Sequence, residues 1–114
     1  MNELSWEARL SLELERAESA RNEGKEGMAR VLARRAAGIV AAQYLQSKGE
    51  IVEVSSAYDQ LKMLSADPSI DDETRKRVDH FLVRVTTGFT LPIQADLIAD
   101  ARWLAAKLLQ IENL

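Results

Sequence analysis

Apolar residues recur at helical spacing in five segments of the chain. The longest segment runs from Val31 to Leu45 and places alanines and one glycine, Gly38, among bulkier apolar residues. Its apolar stripe comprises Met28, Leu32, Ala36, Ile39 and Ala42, widened by Val31 and Val40. Because glycine inside a helix costs about 1 kcal/mol relative to alanine, we expect Gly38 to lie at a close helix contact. This segment is predicted to be the central helix.

The pattern predicts a helix on the N-terminal side of this segment. It runs from Ser5 to Glu23 and has Trp6, Leu10, Leu14 and Ala17 on its apolar face. Gly24 and Gly27 bracket a polar turn, which favours an antiparallel hairpin with the central helix. The central helix is expected to end near Lys48, because Gly49 follows.

A short third helix is predicted after an extended connector. Glu50 to Val54 is rich in β-branched residues, but the chain offers no second strand for it to pair with, so we expect it to place one or two apolar residues against the core. Ser55 or Ser56 is a suitable N-cap for a helix from Ala57 to Ser65. The helix should end before Pro68, since proline disfavours helical geometry in the residue that precedes it.

Two further helices complete the pattern. The fourth begins after Ser69 or Asp71; its apolar stripe comprises Val78, Phe81, Leu82 and Val85. Thr86, Thr87 and Gly88 weaken helical structure, and Pro92 suits the first turn of a fifth helix from Ile93 to about Ile111. The five segments together predict an all-α fold, an up-down bundle of four long helices plus one short helix, in a single domain spanning residues 1–114.

Composition excludes several classes of function. The chain has no cysteine, which excludes disulfides and thiolate metal sites, and one histidine, so we expect no metal and no cofactor. No signal peptide is recognisable, and charged residues interrupt the longest apolar run, so we expect a cytoplasmic protein without a membrane segment. A net charge of -3 does not indicate RNA binding, although a local basic patch leaves it open.

Three stretches resemble the HEPN domain family of nucleotide-binding helical domains. They are Val31 to Ala37 with the closing Tyr44-Leu45, the short segment Ser56 to Leu64, and Asp100 to Leu109. The resemblance covers most of the chain and implies a HEPN-like bundle that pairs with itself and partners a small nucleotidyltransferase. Polar residues common in the family are missing: Gly38 and Ala42 are uncharged, no histidine opens the third helix, and an Arg-Tyr-Pro motif is absent. These departures favour a non-catalytic interaction module over nucleotide binding.

The resemblance also implies an alternative, a HEPN-type ribonuclease using Arg75 and His80. The spacing of the two residues matches the family pattern, in which histidine moves protons and arginine stabilises phosphate charge. Five positions along a helix turn through about 140°, so a single undistorted helix does not bring these side chains together. In the simpler interpretation, which we favour, Arg75 pairs with Asp79 and His80 borders the apolar stripe.

Two other sets of residues are candidates for binding. Arg30, Arg34 and Arg35 form a possible phosphate-binding stripe with Arg21 and Lys25, but surface pairing with nearby glutamates is the favoured alternative. Those glutamates are Glu15, Glu18, Glu23 and Glu26. The fifth helix is apolar on more than one side, which predicts a homodimer. Its expected contact residues are Trp103, Ile98 and Leu109.

Overall fold

Five α-helices and no β-strand make up the part of the chain that the structure, a computed structural model, describes, residues 4–83 and 95–112. The helices are α1 (Trp6–Asn22), α2 (Glu26–Ser47), α3 (Ala57–Ser65), α4 (Asp72–His80) and α5 (Leu97–Leu109). The predicted all-α class is confirmed, as is the order of the five elements. None of the described helices combines the length and the hydrophobicity needed to cross a bilayer.

Helix α4 is shorter than predicted. It has nine residues, the same number as α3, so the described chain has three longer helices and two short ones rather than four long and one short. At the end of α4 the backbone hydrogen bonds span three residues instead of four: Phe81 N donates to the carbonyl oxygen of Val78, and Leu82 N donates to that of Asp79. Arg34 Nε then donates to the Phe81 carbonyl oxygen at 3.2 Å, which satisfies an acceptor that a longer helix would have used.

The predicted boundary between α4 and α5 falls mostly on residues 84–94, outside the described ranges. Val85, the Thr86 to Gly88 stretch, Pro92 and Ile93 therefore lie outside the described residues. The fifth helix begins at Leu97, with the Asp96 side chain accepting from Ala99 N at 3.1 Å. It ends two residues earlier than expected, because Gln110 adopts a left-handed conformation with φ 59°.

Glycines end α1 and α2 as the sequence predicts. Gly24 and Gly49 have φ values of 77° and 88°, a region that glycine enters without steric cost. Lys25 N then reaches back to the Ala20 carbonyl oxygen at 2.8 Å, and Glu50 N bonds that of Leu45 at 3.0 Å. These bonds are the helix-terminating pattern expected of a left-handed C-cap. Gly27 lies inside the first turn of α2 and takes no part in the reversal.

Side-chain caps begin four of the helices. Ser5 accepts from Ala8 N at 3.1 Å, and Ser56 accepts from Asp59 N at 3.0 Å, so Ser56 and not Ser55 caps α3. Asp71 caps α4 by accepting from Thr74 N at 2.8 Å. Lys107 of α5 lies 3.2 Å from the other oxygen of Asp71, which ties the end of α5 to the start of α4.

The long helix α2 is central, as predicted, and packs against α1, α3 and α5. Its buried face differs from the predicted stripe, because Met28 and Val31 are 55% and 48% exposed. Small residues occupy the contacts instead, and they allow neighbouring helices to approach closely. The buried residues are Ala29, Leu32, Ala33, Ala36, Ala37, Gly38, Val40, Ala41, Ala42 and Leu45.

The connector between α2 and α3 places one apolar residue against the core, within the expected one or two. Val52 is half-buried and packs against the core, but Ile51 is 77% exposed and Val54 is also exposed. The prediction of one or two buried apolar residues therefore holds for Val52 alone.

Gly38 lies where α3 begins, and its lack of a side chain permits that contact. A Cβ atom added at Gly38 would lie 2.7 Å from Ala57 Cβ and 2.8 Å from Ala57 Cα. Both distances are too short for carbon atoms, so any larger residue must displace the start of α3. The predicted close contact is confirmed.

We expect Gly38→Ala to lower the free energy of unfolding by about 1–3 kcal/mol through overpacking, despite the better helix propensity of alanine. Gly27→Ala is the matched control, because no atom lies within 4 Å of a Cβ added there. The control should leave stability unchanged or raise it by up to about 1 kcal/mol. Urea unfolding followed by circular dichroism measures both variants, and equal stability of Gly38→Ala and Gly27→Ala would contradict the contact.

A second prediction concerns the free energy of unfolding at low pH. Hydrogen bonding to Thr74, followed by the ammonium of Lys107, lowers the pKa of Asp71 to about 2. A carboxyl whose pKa is lower in the folded state stabilises the fold above its unfolded pKa, near 4, and loses that contribution as the pH falls toward 2. Compared with Asp71→Asn, the parent should be more stable at neutral pH, and the difference should vanish near pH 2. A difference independent of pH would show that the Asp71 charge is unimportant.

Candidate functional site

Asp100, in the first turn of α5, is a buried charged residue. It is 2% exposed, yet both of its carboxylate oxygens have partners from α4. Oδ1 accepts from Arg77 Nη1 at 2.9 Å, and Oδ2 lies 2.8 Å from His80 Nδ1. A buried carboxylate is tolerated when such charge-assisted hydrogen bonds replace its water. We call these three residues the Asp100 cluster.

Helical spacing brings Arg77 and His80 to the same carboxylate. They are three positions apart and so share one face of α4. Val78 and Phe81, both fully buried, hold that part of α4 against the core. Because an ionised carboxylate can only accept hydrogen bonds, His80 presents its Nδ1–H to Asp100, which leaves Nε2 as an acceptor when the ring is neutral.

Arg77 also connects the cluster to Trp103. Its guanidinium carbon lies 5.0 Å from the centre of the Trp103 ring, a cation–π distance. Glu73, one turn earlier on α4, lies 3.8 Å from Arg77 Nη2. Two carboxylates and an aromatic ring therefore fix this one side chain, and Arg77 in turn covers one side of Trp103.

A cleft of about 400 Å³ lies beside the Asp100 cluster. Arg77 and His80 line it with Lys76, and so do the carboxylates of Asp72 and Glu73. Asp100 adds a third carboxylate, because it bonds both Arg77 and His80. Acidic groups therefore match or outnumber the cations around this cleft. It therefore has no positive excess to attract a polyanion.

Arg75, the predicted partner of His80 in catalysis, lies elsewhere. Its Nε donates to the Ser65 carbonyl oxygen at 3.1 Å, and its Nη2 donates to that of Asp67 at 3.0 Å. Arg75 therefore satisfies carbonyl groups at the end of α3. The favoured alternative, pairing with Asp79, is also not observed, since Asp79 accepts from Ser65 Oγ at 2.9 Å.

Sequence reasoning missed the two partners that His80 does have. Asp100 lies within the apolar stripe of α5, next to the fully buried Ala101, and an acidic residue at such a position signals a buried partner. Arg77 lies three residues before His80, the spacing that shares a helix face. These two signals mark Asp100 and Arg77 as candidates, and the packing of α4 on α5 brings them together with His80.

The proposed basic stripe is not continuous. Arg34 is directed to Phe81 at the end of α4, whereas Arg35, one position later, lines a cleft formed with α1 and α3. Arg30 is half-buried on α2; it does not line the cleft that Arg35 lines, and it does not share the bond of Arg34 to Phe81. Arg21 pairs with Glu26 and with Asp96, each at 2.9 Å, and the hydrogen bond to Glu26 is the main cause that raises its pKa. Pairing with nearby glutamates, the favoured alternative, is therefore observed for Arg21 and for Lys25, which lies 3.6 Å from Glu23, whereas Arg34 bonds a carbonyl oxygen instead.

The predicted dimer-contact residues differ in accessibility. Ile98 is 1% exposed and belongs to the core, so its assignment to a dimer contact is wrong. The reason is that the chain itself covers the broad apolar face of α5, including Ala105. Trp103 and Leu109 are half-buried.

Trp103 lines a second cleft, of about 510 Å³, with Ala99, Ala106 and Ile111; Arg102 and Glu112 also line it. We call it the Trp103 cleft.

Comparisons with models of protein families, with curated proteins and with solved structures find no match to this chain. The HEPN resemblance therefore stays a prediction. Among the described residues, no group of histidine and acidic side chains could hold a metal ion.

We expect Asp100→Asn to lower the free energy of unfolding by about 2–4 kcal/mol, because it leaves the Arg77 guanidinium without its buried anion and removes one of the two acceptor oxygens. Asp72→Asn is the control, since Asp72 is fully exposed and lies 3.6 Å from Arg75. Its cost should stay below about 1 kcal/mol. Urea unfolding followed by tryptophan fluorescence measures both. Equal small costs would mean that the Asp100 cluster does not hold α4 on α5.

Proposed function

We propose that the chain is a non-catalytic helical interaction module that binds its partner through the Trp103 cleft, and that it forms a homodimer through this surface. The observation that carries the proposal is the placement of Trp103, half-buried, with Arg77 over its ring and an apolar cleft beside it. Tryptophan and arginine are the residue types that most often dominate binding energy at protein interfaces.

The geometry supports binding in two further ways. Arg77 is held by Asp100 at 2.9 Å and approached by Glu73 at 3.8 Å, so little side-chain entropy remains to be lost when a partner covers it. Ala99, Trp103 and Ala106 are spaced four and three residues apart, so they share one face of α5. The two alanines leave room for a partner helix to approach the tryptophan ring.

The HEPN resemblance supports the same class of function. It implies pairing between copies, and it implies a small nucleotidyltransferase as the partner when a different protein is bound. The cleft beside His80 supports catalysis on RNA less well, because Asp72 and Glu73 line it along with Lys76. The dispersed arginines of α2 likewise do not favour nucleotide binding.

A second candidate function rests on His80. Asp100 fixes its ring with Nδ1–H inward, the arrangement that prepares Nε2 to take a proton from a substrate hydroxyl. A ribonuclease of this kind would use Arg77 in place of Arg75, since Arg75 is directed to the end of α3. Metal-independent cleavage of RNA that His80→Gln abolishes would favour this candidate over the interaction module.

Sedimentation velocity tests the dimer. At micromolar concentration the parent should sediment with about twice the chain mass of 12.7 kDa, and Trp103→Glu should shift it to monomer because the interface would bury an unpaired charge. Ala106→Glu places a charge in the same cleft without removing the ring, and it should have the same effect.

Met28→Glu is the control, since Met28 is an exposed apolar residue on α2 and does not line the Trp103 cleft. It should leave the dimer intact, and circular dichroism confirms that all three variants are folded. A parent that stays monomeric at the highest attainable concentration would rule out self-association through this surface.

A further inference from the structure

A second polar surface lies between α1, α2 and the start of α3. It is a cleft of about 440 Å³ lined by residues of all three helices, and we call it the α1–α3 cleft. Asp100, His80 and Trp103 do not line it, so it is separate from the surface proposed above. Its charged side chains are Arg9 and Glu13 of α1 and Arg35 of α2.

Glu13 lines this cleft and has one carboxylate oxygen without a hydrogen-bond donor among the described residues. Its Oε2 is buried, and no described protein group donates a hydrogen bond to it. A buried carboxylate oxygen without a donor is unfavourable. Gln60, which also lines the cleft, does not supply the bond; its Nε2 is directed to the Val54 carbonyl oxygen, to which it donates at 3.2 Å.

Arg9 and Arg35 provide the opposite charge. Within the described part of the chain, neither guanidinium forms an ion pair or hydrogen bond. Counting only residues 4–83 and 95–112, the same cleft thus has two cations without an ion pair and a carboxylate oxygen without a donor. Two arginines alone would favour a simple anion, but Glu13 repels an anion and calls for a donor. A molecule with a carboxylate at one end and an ammonium at the other satisfies both.

We propose that the α1–α3 cleft binds a small zwitterion of the amino-acid class, with its carboxylate toward Arg9 and Arg35 and its ammonium group at Glu13. The volume is in the range of small-molecule sites and suits a single amino acid. No aromatic side chain of the described residues lines the cleft, so it lacks the stacking surface that bases use. Gln43 and Ser55 remain as polar groups that contact the ligand side chain.

Calorimetric titration of the parent protein tests the proposal. The probes are glycine, L-glutamine and L-leucine, with acetate, methylammonium and AMP as comparisons. At least one amino acid should bind at millimolar concentration or below, and acetate and methylammonium should each bind about tenfold more weakly or worse, since each satisfies one end only. Absence of binding by all three amino acids overturns the proposal, as does acetate or AMP binding as tightly as the best amino acid.

Two variants test which protein residue binds each end of the ligand. Glu13→Gln should weaken amino-acid binding by about tenfold or more and leave acetate binding unchanged or stronger. Arg35→Gln, on an exposed side chain that should not affect folding, should weaken both. Arg30→Gln is the matched control on the same helix, because Arg30 does not line the cleft. Unchanged amino-acid affinity in either cleft variant overturns the assignment. Trp103→Glu should not alter amino-acid binding, because Trp103 does not line this cleft. The amino-acid proposal can therefore be tested whether or not the chain forms a dimer.

Discussion

The fold depends on the close approach of three helices to the small residues of α2. At Gly38 the approach is closest, since even one added carbon would overlap Ala57. This contact sets the position of α3. The position of α3 sets in turn where Gln60 reaches the connector at Val54 and how the α1–α3 cleft is shaped. A larger residue at Gly38 would therefore alter both the core and the polar cleft on the surface.

The two short helices depend on side chains from other elements. Nine residues are too few for a stable isolated helix, so α3 and α4 need tertiary contacts. Arginines provide several of them: Arg75 bonds carbonyl groups at the end of α3, and Arg34 bonds Phe81 at the end of α4. Buried Asp100 attaches α4 to α5 through Arg77 and His80. Arg34 and Arg75 thus each stabilise the end of a short helix.

This use of charge explains why the two proposed surfaces differ. At the Trp103 cleft, Arg77 is already paired, and the surface beside it is mainly apolar, as suits a protein partner. In the α1–α3 cleft, no described residue pairs with Arg9 or Arg35, and one oxygen of Glu13 has no described donor, as suits a small charged ligand. The two surfaces have no described lining residue in common, so each can be occupied independently.

The sequence by itself determined what depends on local spacing and local conformation. Helical periodicity predicted the all-α class and the order of the five elements, and Gly24 and Gly49 marked two helix ends, because these signals involve the backbone and near neighbours alone. Gly38 marked a close helix contact by the cost of glycine in a helix, and the tertiary structure identifies Ala57 as its neighbour. The buried face of α2, the early end of α4 and the partners of Arg75 and His80 were decided by the tertiary structure. The physical reason is that a long charged side chain can choose among carbonyl and carboxylate acceptors far along the chain. Only the packing of α3, α4 and α5 determines which of them lies within hydrogen-bonding distance.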